Sequence, residues 1–214
     1  MSTRLAIHVW TDLSSPRSFR GLKNLLEATE GKHVAIEHHA FFTPDNLKPG
    51  ADDEYLTALR DAGLDITGSY MSDNRKAQEL IYAAKEQGSS PEDAAKRGLE
   101  MAVGLHEAAL LRGEDISSID TLLTYAKKVG LDESEVRDGL EQGRWSKQVD
   151  GDVADAGRIG MVQAPFLFLS GLYLLEGPQS VNAIAALVNE ALGELEEREK
   201  AAEAEARELF GWQG

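Results

Sequence analysis

The sequence predicts an α/β fold in which a sheet, contributed by both ends of the chain, is interrupted between its second and third strands by a large all-helical insertion. Two strand-like segments, at residues 4–10 and 33–42, flank a helix-like segment near the N-terminus. Helical periodicity without strand-like segments then covers residues 51–155. Strand-like runs return only at 164–175, before a final amphipathic helix.

The first strand and helix are indicated by their side-chain patterns. Residues 4–10 are mostly apolar, with β-branched and aromatic side chains, which is typical of a buried strand. Ser15 and Pro16 form a helix start, because a capping hydroxyl precedes a proline at the first helical position. This helix is expected to end near Gly31. The short connections to the second strand, at 33–42, predict a parallel pair with a right-handed crossover.

The middle of the chain has the pattern of a helical domain. Ser90-Pro91 and Asp132-Glu133 are helix starts, and glycines stand where helices would stop. Apolar residues at helical spacing predict helices around 55–59, 77–84, 99–110 and 122–126. We therefore divide the chain into a sheet domain from residues 1–50 and 156–195, an insertion domain of residues 51–155, and a solvated acidic helical tail at 196–214.

Composition excludes several classes of function. Lys and Arg total 22 against 37 Asp and Glu, and the net charge of −15 would repel nucleic acid and anionic membranes. No run approaches the ~20 apolar residues of a membrane-spanning helix, and no secretory signal is recognisable. We therefore expect a cytoplasmic protein with neither nucleic acid nor membrane as a partner. The chain has no cysteine, which excludes disulfides and thiolate sites.

The turn after the first strand, Asp12-Leu13-Ser14-Ser15-Pro16-Arg17-Ser18-Phe19, resembles the active-site turn of DsbA-family proteins, especially the FrnE-like subgroup. Ser15 and Ser18 stand at the positions of that family's two redox cysteines, and Arg17 replaces a tryptophan between them. A serine hydroxyl is not an attacking group at neutral pH, and a pair of serines cannot store two electrons. The disulfide chemistry that the resemblance implies is therefore excluded for this chain.

The resemblance continues along nearly the whole chain. Residues 41–49, 62–65 and 74–88 look like the family's segments after the second strand. Ala164-Pro165 and the apolar run after it resemble the family's cis-proline strand, and Gly177-Pro178-Gln179 resembles the entry to its last helix. The resemblance implies a thioredoxin-like fold, with a cis Ala164–Pro165 bond that lies against the Ser15 turn.

The same turn is also similar to the Asp-x-x-Ser-Pro-x-Ser-aromatic turn of kappa-class glutathione transferases and 2-hydroxychromene-2-carboxylate isomerases. That resemblance implies that Ser15 is catalytic and favours the thiolate of a bound thiol, while the residue before the cis-proline pairs with the thiol through its backbone. We predict thiol transfer or thiol-assisted isomerisation with a small-molecule thiol, glutathione or mycothiol, and no tightly bound cofactor. The predicted ligand-binding residues are Asp12, Pro16, Arg17, Ser18, Gln163, Ala164 and Pro165.

Two other interpretations stay open. The chain would be a non-catalytic binding protein if a groove beside Pro165 held a peptide or small ligand through backbone pairing, without bond making. In the plainest interpretation, Ser15 and Pro16 only start a helix, as such residues do in many proteins.

The histidines give little sign of a metal site. His38 and His39 are neighbours on a strand and must face opposite sides, so they cannot chelate as a unit. We expect capping or surface roles for this pair. His8 and His106 lie in apolar patterns and are expected to be core histidines with satisfied hydrogen bonds.

Overall fold

The computed structural model describes residues 4–43, 73–171 and 173–210. Within them, one mixed sheet has the strand order β2-β1-β3-β4. The strands are β1 (Leu5–Thr11), β2 (Val34–Ala40), β3 (Phe166–Leu169) and β4 (Tyr173–Glu176). β1 and β2 are parallel, whereas β3 pairs antiparallel with both β1 and β4. The predicted α/β class, the parallel opening pair and the hairpin at 164–175 are confirmed.

Seven helices accompany the sheet in the described ranges. They are α1 (Pro16–Thr29), α2 (Arg75–Glu86), α3 (Pro91–Leu111), α4 (Ile119–Lys128), α5 (Glu133–Gln142), α6 (Ser146–Arg158) and α7 (Val181–Phe210). Helices α2 to α6 lie between β2 and β3 in the chain, and no strand lies among the described residues of this segment, which confirms the helical insertion. The helix expected at 55–59 and the family-like segment at 62–65 lie outside the described residues.

One face of the sheet packs against α1 and α7. Side chains alternate along a strand, so Leu5, Ile7 and Val9 of β1 share this face, and all three are fully buried. Leu22 of α1 and Ile184 of α7 complete the same apolar cluster. Each such buried aliphatic side chain contributes about 1.5–3 kcal/mol of transfer free energy, so this cluster fixes α1 on the sheet.

The opposite face of the sheet carries a smaller apolar cluster under α6. Trp10 of β1 and Phe166 of β3 pack there with Ala156 of α6 and with Met161 and Ala164 from the loop that follows. The loop that leads into Pro165 is therefore anchored to the sheet next to Trp10 and Phe166.

The insertion has an apolar core of its own, and the turn before α1 reaches into it. Leu13 and Phe19 are buried among the side chains of α2, α3 and α4. The turn between β1 and α1 is thus held between the sheet on one side and the helical insertion on the other.

Candidate functional site

Ser15 caps the N-terminus of α1. Its Oγ accepts a hydrogen bond from the backbone N–H of Ser18 at 3.3 Å, and Pro16 is the first helical residue. None of the described residues accepts the proton of the Ser15 hydroxyl. The hydroxyl oxygen already accepts a bond and lies at the positive end of the helix dipole, so its O–H is a polarised hydrogen-bond donor.

Asp12 and Ser18 point into the protein and shape the turn. The Asp12 N–H donates to Ser18 Oγ at 3.2 Å, and its carbonyl accepts from the Ser15 N–H at 2.9 Å. The Asp12 carboxylate accepts from the backbone N–H groups of Ser14, at 3.0 Å, and Thr43, at 2.8 Å. Asp12 is 4% exposed and Ser18 is fully buried. Their contacts make them supports of the turn, and direct ligand contact stays a prediction for both.

Helix α2 clamps the turn from the insertion side. Asn74, just before the helix, donates from Nδ2 to Asp12 Oδ1 at 2.7 Å and also to the Ser14 hydroxyl. One turn later, Gln78 donates from Nε2 to the carbonyl of Thr11 at 3.0 Å. Neither residue was predicted from the sequence to be part of the site. The one sequence feature that could have pointed to them is their spacing, because two amide side chains four residues apart lie on the same, otherwise apolar, face of a helix.

Thr11 lies between two buried histidines. Its Oγ1 is 2.8 Å from Nε2 of His38 and 3.1 Å from Nε2 of His106. A hydroxyl has one proton, so one imidazole donates to Thr11 and the other accepts. Burial lowers the pKa of His38 well below its usual value and that of His106 to about 3, so both rings are neutral.

The surface or capping role expected for His38 is therefore wrong, because β2 turns this side chain towards α3. His38 is 1% exposed. His106 is fully buried, which confirms its expected place in the core.

The segment around Pro165 forms the second side of the site, next to α1. The Ala164–Pro165 peptide bond is cis, as predicted. The Pro165 ring lies against Gly21, within two turns of Ser15 on α1. Neither the N–H nor the C=O of Ala164 makes a hydrogen bond to another described residue. Arg17, in the first turn of α1, and Gln163, beside Ala164, are both half-buried.

A metal site and a membrane-spanning helix are both absent from the described ranges. No group of three or more His, Cys, Asp or Glu side chains is placed to hold a metal ion there. In the same ranges, no helix combines the length and the apolar character needed to cross a membrane.

Comparison with solved structures shows which fold this is. A probable DsbA oxidoreductase from Streptomyces coelicolor superposes with a TM-score of 0.72 at 17% identity, over 89% of this chain and 91% of that one. A 2-hydroxychromene-2-carboxylate isomerase gives 0.67 at 16% identity, over 92% and 98% of the two chains. The cytosolic disulfide reductase DsbM from Pseudomonas aeruginosa, solved with GSH, gives 0.63 at 14% identity, over 91% and 99%.

Sequence comparison defines the family. Curated protein sequences gave no match. The family model of the DSBA-like thioredoxin domain matches residues 6–189, a range that contains the Ser15 turn, the insertion and the cis-proline. The thioredoxin-like fold and the DsbA-family resemblance are thereby confirmed, whereas the FrnE-like subgroup stays a prediction. This chain, although it contains no cysteine, belongs to the family of DSBA-like thioredoxin domains.

Proposed function

We propose that this protein binds a low-molecular-weight thiol at the N-terminus of α1 and uses it for transfer or isomerisation. The observation that carries the proposal is the Ser15 hydroxyl, which accepts the Ser18 N–H and has a proton that no described residue accepts. A thiolate sulfur placed there receives that hydrogen bond and the positive end of the helix dipole. The lack of cysteine fits this role, because the reactive sulfur then belongs to the ligand.

The edge before Pro165 is suited to the peptide-like part of such a thiol. Ala164 has a backbone N–H and C=O that no described residue uses, and these two groups pair with an extended peptide as a neighbouring strand would. Arg17 and Gln163 contribute a cation and an amide for the ligand's carboxylates. Glutathione or mycothiol is the ligand class. The fold shared with the isomerase and with DsbM, which was solved with GSH, supports it.

In this proposal Ser15 is a hydrogen-bond donor and not a nucleophile. The thiol S–H proton passes to water, and the thiolate, stabilised by Ser15, forms a bond to an electrophilic carbon. In transfer, a leaving group departs with the bonding electron pair. In isomerisation, the C–S bond breaks again after rearrangement and the thiol is released unchanged.

The test is binding of glutathione, measured by calorimetry together with the ultraviolet absorbance of the thiolate. Ser15→Ala is expected to weaken binding and to remove the thiolate signal. The matched control is Ser180→Ala, because Ser180 Oγ caps α7 by accepting the Ala183 N–H at 3.2 Å. Both variants lose a cap worth about 1 kcal/mol, so only an effect confined to Ser15→Ala supports the proposal. Absence of a thiolate signal with glutathione and with mycothiol would refute it.

A second candidate function, non-catalytic peptide binding, is favoured by the unused backbone groups of Ala164. An extended peptide would pair with them without any role for the Ser15 hydroxyl. Peptide binding that survives Ser15→Ala, in a protein that binds no thiol, would favour this function.

We also propose that the protein works in the cytosol. The fold that it shares with a cytosolic disulfide reductase supports this compartment. Fractionation of cells that express the untagged chain tests it, and recovery outside the cytosolic fraction would contradict it.

A further inference from the structure

A second cluster of titratable side chains lies on the sheet face opposite α1, independent of the Ser15 site. There His39 Nδ1 is 2.7 Å from Asp152 Oδ1, and His39 Nε2 is 2.9 Å from Nδ1 of His8. The three side chains come from β2, α6 and β1 and form one continuous hydrogen-bonded row. A surface role was expected for His39, but this side chain instead lies in the middle of the hydrogen-bonded row, between Asp152 and His8.

Asp152, at the inner end of this hydrogen-bonded row, is held firmly. Asp152 is 6% exposed, and its Oδ2 accepts hydrogen bonds from the Ala40 N–H, at 2.7 Å, and from the Tyr82 hydroxyl. The Trp10 ring stacks on His39 with centroids 4.4 Å apart, and its Nε1 donates to the Asp152 carbonyl at 3.3 Å. The carboxylate and the middle imidazole therefore have fixed positions.

The position of each proton follows from the chemistry of the partners. Nδ1 of His39 must carry a proton to donate to the Asp152 carboxylate. In a neutral ring Nε2 of His39 is then bare, and it accepts the Nδ1 proton of His8. The lone pair of His8 is thus left on Nε2. Nε2 of His8 forms no hydrogen bond with a described residue. The His8 side chain is half-buried, but this atom is accessible to solvent.

We propose that His8 is a nucleophilic site for small, uncharged activated acyl compounds, such as aryl esters. His8 Nε2 forms a bond to the ester carbonyl carbon while its Nδ1 proton moves to His39 Nε2, where Asp152 stabilises the imidazolium. The aryl oxide leaves with the electron pair of the broken C–O bond. Water then attacks the acyl carbon and loses one proton to solvent. The acid is released as the bond from the acyl carbon to Nε2 breaks, and the proton held by His39 returns to Nδ1 of His8, so both rings are neutral again.

The surroundings of His8 determine the class of acyl compound. The half-buried Phe168 ring lies 6.4 Å from the His8 imidazole, measured between ring centroids, and it offers an aromatic surface to an apolar acyl or aryl group. Glu37 faces the same site, and the net charge of −15 disfavours anionic acyl donors. The nearby cation, Lys85, is paired with Glu37. Burial, His39 and Lys85 lower the pKa of His8 against the opposing effect of the carboxylates, which keeps the ring unprotonated at neutral pH.

The chain contains its own reference for an acylation experiment. His33 is an exposed imidazole whose Nε2 accepts a hydrogen bond from Arg4 at 3.2 Å. Diethyl pyrocarbonate, followed by mass spectrometry of peptides, measures the acylation rate of each histidine in the full chain. We expect His8 to react faster than the more exposed His33, and Asp152→Asn to slow His8 by about tenfold or more without a change at His33.

Hydrolysis of 4-nitrophenyl acetate provides the second measurement, in case Asp152→Asn does not fold. His8→Gln removes the nucleophile and leaves the contact between His39 and Asp152 intact, so it should fold and lose the activity. Ser15→Ala should keep it, which separates this site from the proposed thiol site. Equal acylation rates at His8 and His33, or unchanged ester hydrolysis in His8→Gln, would overturn the proposal.

Discussion

The ring of Pro165 lies against Gly21 of α1 so closely that a β-carbon on residue 21 would come within 2.3 Å of the proline Cγ. The separation between α1 and the cis-proline loop is therefore set by the lack of a side chain at one helix position. This contact fixes the distance between the Ser15 cap and the backbone of Ala164, which are the two halves of the proposed thiol site.

Gly21→Ala should destabilise the protein, although alanine is the better helix former. The new methyl group must displace Pro165 or α1, and overpacking of this kind costs about 1–3 kcal/mol. The free energy of unfolding in urea measures the effect. Gly193→Ala in α7 is the control, since nothing lies within 4 Å of its new β-carbon. A Gly21→Ala protein as stable as the control would contradict the tight packing described here.

Asn74→Ala should loosen the turn before α1. It removes the Nδ2 donor from the buried Asp12 carboxylate and from the Ser14 hydroxyl. A buried acceptor left without its donor costs about 1–3 kcal/mol, and we expect weaker thiol binding as well. Urea unfolding and glutathione calorimetry measure the two effects. Asn189→Ala removes only an exposed contact with Lys32 and should leave both values unchanged; a similar loss in both variants would argue against a specific clamp.

Folding stability should fall as the pH drops below about 6.5. The pKa of His106 is lowered by burial from 6.5 to about 3, and that of His38 is lowered for the same reason. Between these two pH values the unfolded chain binds a proton on His106 that the folded chain does not, so acid favours unfolding by up to ~1.4 kcal/mol per pH unit. The contribution is fully present above the unfolded pKa and is lost progressively below it.

Urea unfolding across this pH window, with wild type and His106→Gln, measures that contribution. The variant should show a shallower dependence of stability on pH, whereas His33→Gln, at an exposed position, should keep the wild-type slope. An unchanged slope in His106→Gln would show that this ring is protonated in the folded protein.

Ser15→Cys should create a thiol with a pKa below the usual value of about 8.5, because the sulfur would lie at the N-terminus of α1. The rate of alkylation by iodoacetamide as a function of pH measures this pKa. Ser117→Cys, in an exposed loop beside Asp115, provides the comparison, and each variant then contains one thiol. Equal pKa values in the two variants would remove the electrostatic basis of the proposed site.

The sequence was sufficient for the order of the elements because each is encoded locally. Hydrophobic periodicity and capping residues predicted α2 to α5 of the insertion, and Ser15 with Pro16 predicted the start of α1. Helix α6 was not predicted individually. The cis-proline followed from a family resemblance and not from any local pattern. The contact of Pro165 with Gly21 was out of reach, since it joins distant segments and depends on the packing of two elements.

The polar networks were missed for a related reason. A strand pattern places His38 and His39 on opposite faces, but it does not say that α3 and α6 bring partners to each face. Asn74 and Gln78 were likewise visible as polar residues on an apolar helix face. Their targets, the carboxylate of Asp12 and the carbonyl of Thr11, became apparent only with the fold.

The two adjacent histidines of β2 also constrain how this strand can pair. Val9 lies opposite His38 and Trp10 opposite His39, so each imidazole meets its partner in one alignment only. Sliding β2 along β1 by one residue would exchange the two faces of β2, and both imidazoles would then lose their hydrogen-bond partners. These two imidazoles fix the register of β2 from both faces of the sheet. An extra residue inserted before β2 must therefore be accommodated as a bulge in the turn at 30–33, because the strand itself cannot shift.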